Sequence, residues 1–414
     1  MCAKYFYWCS TLAYLSVLSH VSVHTQNVQD VKKLSESLDN FALKFLAKTS
    51  RQIGDSANLA VSPYTIWNLL NILREGALEN TATELENALG IPPNQNNDEF
   101  RATYQRFANY LNKQGDSEVT LDTTNSIFTA ADQKLKPEYL RIVQNFYNTE
   151  IKSVDFRDVN SAVSIINNRI KEATRGRISN FVKPDDVENA EVFLSSVLFF
   201  KGMWVNQFNK SKTTREPFYD DNGNQIGVVD MMNSFNPYPF SLVLDGKAIA
   251  AELPYKGNVS MIAILPKRGH TLSSVLDTLE NTSFSKVLDA LEQSVIDFGE
   301  DPVYMHIPKF SIISDLTINV ILDQMGIRDL LNDRNANLLG MFYHLLHVSR
   351  VLQRAEIQVD EEGTVASAVA GSVIEYKTTP PKFVANKPFA YFIVDKISRA
   401  IVFAGKLSNP RKLS

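Results

Sequence analysis

The sequence predicts an α+β fold in a single large domain. Amphipathic helical patterns dominate the first half and strand-like runs the last third, without the regular alternation of a doubly wound sheet. No linker, low-complexity tract or internal repeat divides the 414 residues. The composition, 44% hydrophobic and 21% charged, is that of a globular protein with a sizeable core. We therefore expect residues 25–414 to form one domain.

Seven segments carry apolar residues at helical spacing, which predicts amphipathic helices. The first begins at Val28 and ends near Lys48. The others are predicted at Pro63–Gly76, Thr81–Leu89, Glu99–Lys113, Pro137–Phe146, Ser161–Thr174 and Asp315–Met325.

Apolar runs rich in β-branched and aromatic residues predict strands. A hairpin turn is expected at Lys256 and Gly257, between two such runs. The predicted strands are Glu191–Phe200, Ala248–Pro254, Ser260–Leu265, Val303–Ile307, Val348–Val359, Phe389–Val394 and Ala400–Ala404.

Residues 1–24 have the pattern of a secretory signal peptide. Lys4 precedes an apolar stretch that ends in small residues and is followed by polar sequence. A membrane anchor is the alternative, because the stretch approaches the ~20 residues of a span, but its serines and His20 fit hydrocarbon poorly. Cys2 and Cys9 both lie in this segment, so the mature chain would contain no cysteine. We expect a secreted, extracellular protein.

Three Asn-x-Ser sequons fit a secreted glycoprotein. They begin at Asn209, Asn258 and Asn281. The formal net charge is −4 and no long basic run occurs, so neither nucleic acid nor a membrane is expected as a partner.

Motifs for catalysis and for cofactor binding are absent from the sequence. It contains no Gly-x-Ser-x-Gly elbow, no phosphate-binding loop and no dinucleotide fingerprint. His344 and His347 lie three apart, but no His-Glu-x-x-His pattern accompanies them. Without a mature cysteine, thiolate metal sites and a cysteine nucleophile are excluded. We expect no metal, no cofactor and no enzymatic activity.

An unusual run of small residues follows Val359. From Gly363 to Ile374 the sequence has no charge, and two prolines, Pro380 and Pro381, follow soon after. Read with a period of two, the run has one face made only of small side chains. One interpretation is an ordinary edge strand that leads into an extended loop. The alternative is that the small face is required for a function.

Several long motifs, in the same order, make the mature sequence resemble the serpins. In "NLAVSPYTI" the matching residues are Asn58, Ser62 and Pro63, and "VLFFKGMWVNQF" contains the family's Phe-Lys-Gly-x-Trp. The other matching stretches are "INNRIKEATRGRISNFV", "LPYKGNVSMIAILP", "HIPKFSIISDLTINVILDQMGI", "NKPFAYFIVD" and "FAGKLSNP". The resemblance implies the serpin fold, with a large central β-sheet, two smaller sheets, surrounding helices and an exposed reactive-centre loop at about 361–382.

The resemblance also gives the small-residue run a function. In inhibitory serpins a target protease cleaves this loop, which then inserts as a new strand into the large sheet. Small side chains suit insertion, because a bulky or charged group entering a packed sheet costs several kcal/mol. The residues that match the hinge are Glu361, Glu362, Gly363, Thr364, Ala366, Ser367 and Ala368.

Two counts place the reactive bond between Lys377 and Thr378. In serpins the residue before this bond usually lies 14 after the hinge glycine and 11 before the proline of Lys-Pro-Phe. Counting from Gly363 and from Pro388 gives Lys377 both times. A lysine there suits a trypsin-like protease with an acidic specificity pocket. A register shift of one would instead make Tyr376 the bait and indicate a chymotrypsin-like target.

Other matching residues are expected along the path of insertion. Trp204 and Lys309 match residues at the point where the loop enters the sheet, and Glu361 is expected to pair with Lys309. Beneath the parting strands, serpins have a polar network that must stay hydrogen-bonded. Its counterparts here are expected to be Asn58, Ser62, Thr65, Ser196 and Gln353.

Three network positions depart from common family residues. Ser196 replaces asparagine, Gln353 replaces histidine and Thr65 replaces serine. All three stay polar, so we expect a working network with an altered rate of insertion.

The sequence therefore predicts a monomeric, secreted suicide inhibitor that forms a covalent acyl complex with a trypsin-like serine protease. The alternative is a non-inhibitory serpin that acts as a carrier or storage protein, although such members often have bulky or charged hinges. The loop resembles that of arthropod serpins, which often regulate extracellular proteolytic cascades.

Overall fold

The computed structural model describes residues 31–93, 95–112, 119–147, 149–299, 301–361 and 380–410. In these residues three β-sheets are surrounded by helices, which confirms the α+β class. The predicted signal segment and residues 362–379 lie outside the described residues.

The helices pack around the sheets, except for α2, which lies within the core. All twelve residues of α2 are buried, the side chain of Ser62 caps its amino end, and Pro63 opens its first turn. The helices are α1 (31–53), α2 (Pro63–Arg74), α3 (Glu79–Leu89), α4 (Asn97–Asn112), α5 (Pro137–Ile142), α6 (Val159–Ala173), α7 (Pro184–Val187), α8 (Leu272–Glu280), α9 (Ser285–Phe298) and α10 (Asn319–Gln324).

Fifteen strands form the sheets of the described residues. They are β1 (Leu59–Val61), β2 (Val119–Ala130), β3 (Glu150–Val154), β4 (Val192–Gly202), β5 (Thr214–Tyr219), β6 (Gln225–Pro237), β7 (Phe240–Val243), β8 (Ala248–Pro254), β9 (Val259–Pro266), β10 (Pro302–Pro308), β11 (Phe310–Thr317), β12 (Val348–Val359), β13 (Lys382–Val384), β14 (Phe389–Asp395) and β15 (Ile401–Leu407).

The six-stranded sheet, in the order β1-β15-β14-β9-β8-β7, is antiparallel throughout. Every residue of β9, β14 and β15 is buried. A four-stranded sheet has the order β13-β10-β6-β5. The predicted hairpin is confirmed between β8 and β9, where Gly257 adopts a φ of 81°.

The five-stranded sheet has the order β11-β12-β4-β2-β3. Its strands β12 and β4 run parallel, β11 is antiparallel to β12, and β2 is antiparallel to β4. The edge strand β3 runs parallel to β2. The sheet therefore has a parallel boundary between two antiparallel pairs.

One predicted helix is wrong over its first part. The helix predicted at Asp315–Met325 starts too early, because strand β11 continues to Thr317 and helix α10 begins only at Asn319. Asp315 lies opposite Arg354 on β12, and the two side chains form an ion pair. Cross-strand pairing therefore overrides the helical spacing of the apolar residues. The prediction also missed eleven elements: β1, β2, β3, β5, β6, β7, β11, β13, α7, α8 and α9.

Candidate functional site

The candidate site is the parallel boundary between β4 and β12, which we call the seam. Its register runs from Val348 beside Val192 to Ile357 beside Phe200. The end at Ile357 is called the top and the end at Val348 the base. Polar side chains cross or border the seam at three levels, and the chain leaves β12 at the top.

At the top, Trp204 fixes the backbone that leaves β12. Its indole is 2% exposed and stacks on Tyr255 with ring centroids 4.0 Å apart. The indole Nε1 donates a 2.8 Å hydrogen bond to the carbonyl oxygen of Asp360. The carboxylate of Asp360 also lies 3.3 Å from the Nζ of Lys201, at the end of β4. The residue that follows β12 is thus tied to the end of β4.

Lys309 and Glu361 form the predicted ion pair beside this point. Lys309 Nζ lies 2.9 Å from Glu361 Oε2, and the hydroxyl of Thr213 donates to Glu361 Oε1 at 2.9 Å. Partial burial opposes ionisation of Glu361, but the hydrogen bonds from Lys309 and Thr213 prevail and hold its pKa below the usual 4.5. The hydrogen bond to Glu361 raises the pKa of Lys309. The pair is therefore charged at neutral pH.

At the middle level, the side chains of Thr65, Ser196 and Gln353 form one buried network with the backbone of Ser62. Gln353 Nε2 donates to the carbonyl oxygen of Ser62 at 2.8 Å and to Thr65 Oγ1 at 3.2 Å. Ser196 Oγ donates to Thr65 Oγ1 at 2.6 Å, and the Ser62 amide donates to Gln353 Oε1 at 3.2 Å. Gln353 and Ser196 lie directly beside each other across the seam. The three departures from common family residues therefore bond to one another.

Asn58 does not join this network. Its side-chain oxygen accepts hydrogen bonds from the amides of Ser408 and Asn409, and its Nδ2 donates to the carbonyl oxygen of Asn409. Asn58 thus holds the C-terminal segment against the start of β1. The structure separates it from the residues with which the sequence grouped it.

At the base, β4 and β12 are joined by a set of contacts that the sequence analysis did not predict. The backbone N–H of His347 donates to Glu191 Oε2 at 2.9 Å, and the Nδ1 of the same histidine lies 2.8 Å from that oxygen. The Glu191 amide donates to Ser349 Oγ at 2.9 Å. Arg350 pairs with Asp186 at 2.8 Å. These partners are more than 150 residues apart, so no local pattern indicates them.

The predicted glycosylation sites lie outside the seam, and the predicted reactive bond falls outside the described residues. Asn209, Asn258 and Asn281 are all exposed. The following residues lie outside the described residues: Glu362, Gly363, Thr364, Ala366, Ser367, Ala368, Tyr376, Lys377 and Thr378.

Comparisons with known proteins identify the family and the fold. A family model described as "Serpin (serine protease inhibitor)" matches residues 36–410. The chain belongs to the serpin family. The predicted family is therefore confirmed, and serine proteases are the partners on which this family of inhibitors acts.

Relatives match this serpin over nearly their whole length. It is 30% identical to macrophage plasminogen activator inhibitor 2 of Mus musculus, over 92% of this chain and 100% of that protein. It is also 30% identical to the leukocyte elastase inhibitor of Bos taurus, over 92% and 100% of the two chains.

Two crystal structures confirm the predicted serpin fold. Serpin-12 of Manduca sexta superposes with a TM-score of 0.77 at 25% identity, covering 91% of this chain and 98% of that one. The mouse protein-Z dependent protease inhibitor superposes with a TM-score of 0.80 at 23% identity, over 93% and 99% of the two chains. Within the described part of this serpin, no helix has the length and apolar character needed to span a membrane.

Proposed function

We propose that the protein is a secreted, monomeric suicide inhibitor of trypsin-like serine proteases. The observation that carries the proposal is the parallel seam between β4 and β12, at whose top β12 leads in sequence to the predicted bait residues. A chain that folds back here runs opposite to β12. It therefore enters between the two strands antiparallel to both.

Insertion of the cleaved loop is favourable by elementary energetics. It replaces one parallel boundary by two antiparallel ones, which are slightly more stable per residue. With about one kcal/mol net for each new backbone hydrogen bond, insertion of the loop releases on the order of 10 kcal/mol. The five-stranded form is then a kinetically trapped state, held until the loop is cut.

The proposed reaction uses the catalytic serine of the target. Its hydroxyl attacks the carbonyl carbon of Lys377, the bond to Thr378 breaks, and the new amino terminus leaves with the proton. The target remains joined to Lys377 as an ester. Insertion of about 14 residues at ~3.3 Å each then carries it roughly 45 Å, to the opposite end of the domain. The names of the two relatives, both inhibitors, support this mechanism.

Secretion is supported by two features of the sequence and structure. Residues 1–24 have the signal-peptide pattern, and the three sequons lie at exposed asparagines. A secreted glycoprotein with a lysine bait is suited to extracellular proteolytic cascades.

The test is incubation with trypsin followed by a denaturing gel. We expect a covalent band at the summed mass, with cleavage mapped between Lys377 and Thr378. Lys377→Ala is expected to abolish the reaction, whereas Lys382→Ala, an exposed lysine five residues further on, leaves it unchanged. Cleavage without a complex would contradict the inhibitory function and favour a carrier or storage function. A complex formed with chymotrypsin at Tyr376 would instead indicate a chymotrypsin-like target.

A further inference from the structure

The base of the seam differs from the rest of it by a bulge. Val348 lies beside Val192, but Arg350, not Ser349, lies beside Phe193. A bulge frees one residue from the ladder and re-aims its side chain. Ser349 uses this freedom, because its hydroxyl accepts the hydrogen bond from the Glu191 amide across the seam.

Glu191 links the two strands at this level a second time. One carboxylate oxygen receives the backbone N–H of His347 and contacts its ring at 2.8 Å. The side chains are partly shielded, with exposed fractions of 21% for His347 and 39% for Glu191. The carbonyl oxygen of Glu191 also accepts from the amide of Ala130 on β2. Glu191 is therefore fixed to the β2–β4 side and bonded to the β12 side.

The base is where an inserted strand completes its path. β12 has twelve residues, from Val348 to Val359. A strand that reverses after Glu361 and runs antiparallel to β12 reaches the level of Val348 after about twelve residues, because both strands rise equally per residue. The residues just before Lys377 then arrive beside Glu191 and His347. The base contacts must therefore separate last.

We infer that Glu191, His347 and Ser349 form a base latch that delays the last step of loop insertion. This inference rests on the proposed function. The ester to the protease can be hydrolysed until insertion is complete, so the speed of the last step decides between a trapped complex and a released protease. The latch is thus a positioning device that sets the efficiency of inhibition, in addition to the contacts at the top and middle.

The test compares Glu191→Ala with Glu191→Gln and Glu188→Ala. Glutamine keeps an acceptor oxygen for the His347 amide, and Glu188 is an exposed glutamate three residues away. Each variant is mixed with trypsin at a temperature at which the parent gives both complex and cleaved chain. The ratio of these products and the rate of acylation are measured separately.

We expect Glu191→Ala to raise the ratio of complex to cleaved chain about threefold to tenfold, the effect of losing one or two hydrogen bonds. Acylation should be unchanged, because it precedes any separation of β4 and β12 at the base. Glu191→Gln should be close to the parent, and Glu188→Ala equal to it. Asp289→Ala, which breaks a remote ion pair with Arg399, should leave the ratio unchanged.

If Glu191→Ala folds poorly, Ser349→Ala provides the same test by removing only the hydroxyl acceptor. An unchanged or lower ratio in the latch variants would overturn the base latch while the proposed function stands. If the parent itself forms no complex, the proposed function fails. Heating without protease then tests the latch independently, by the rate at which the uncleaved loop inserts into the sheet. The inference is overturned if the loop of Glu191→Ala inserts no faster than that of the parent.

Discussion

The six-stranded and five-stranded sheets are built for opposite tasks. The six-stranded sheet is antiparallel throughout, and its strands β9, β14 and β15 are wholly buried. The five-stranded sheet has a parallel boundary at its centre, with Gln353 beside Ser196 in the buried middle of the seam. Polar contacts also lie at its top and base.

The difference concerns how each sheet responds to separation of its strands. Apolar strands that interdigitate lose packing at once when they move apart, so the six-stranded sheet resists opening. Hydrogen bonds between polar side chains can be exchanged for new ones, so a polar seam can part. The first sheet is a scaffold and the second a device that opens, which the following changes test.

The largest expected effect is that of a charge placed on the inserting face. Thr364→Arg should reduce trapping of trypsin more than tenfold and convert the inhibitor into a substrate, because an unpaired arginine entering the sheet costs several kcal/mol. A denaturing gel measures the ratio of complex to cleaved chain. Ser367→Arg, on the opposite face by the period of two, should keep most of the trapping. Equal trapping by the parent and Thr364→Arg would refute insertion.

The second-largest effect is expected from a single methyl group added to the six-stranded sheet, and it concerns the stability of the fold. A Cβ on Gly405 in β15 would collide with the carbonyl oxygen of Leu59 and the hydroxyl of Tyr391, which hydrogen-bond to each other. Gly405→Ala should therefore lower the free energy of unfolding by about 3 kcal/mol. Denaturant unfolding measures the change. A stability equal to that of the parent would show that this sheet is less tightly packed than proposed.

A smaller loss is expected when the middle of the seam is emptied. Gln353→Ala leaves the Ser62 amide and carbonyl without their partner, at a cost of about 2 kcal/mol. The strands β4 and β12 should also separate more easily, so the uncleaved loop should insert faster on heating. Gln293→Ala, an exposed glutamine on helix α9, is the control. If the loop inserts at one rate in both variants, the network does not restrain the seam.

The smallest effect is expected at the half-exposed ion pair on top. Lys309→Ala should cost about 0.5 kcal/mol, because Lys309 keeps 46% of its side chain in solvent. The pKa of Glu361 is lowered by folding, so its contribution is present above about pH 4.5 and is lost as the pH falls through the lower folded pKa. The difference between parent and variant should therefore vanish in acid. Thermal unfolding at several pH values measures it, with Lys267→Ala as control, and a difference that grows in acid would contradict the pairing.

Local sequence predicted most elements but failed where partners are distant. Helix α2 was predicted to within two residues, because Ser62 and Pro63 mark its start and apolar spacing marks its length. The same spacing misled the prediction at Asp315, whose conformation is set by pairing with Arg354. Strand β2 was missed, because its centre, Asp122–Ser126, has no apolar residue and only its neighbours β4 and β3 identify it as a strand.

The sequence by itself determined the family, the order of most elements, the candidate bait Lys377 and the pair of Lys309 with Glu361. These follow from residues within one motif or from the family resemblance. The tertiary structure alone decided that Asn58 bonds to the C-terminal segment and that Thr65, Ser196 and Gln353 bond directly. It also decided that Glu191 contacts His347 and Ser349 at the base. The physical reason is that a hydrogen bond requires a specific distance and direction, and only the packing of strands far apart in sequence sets these.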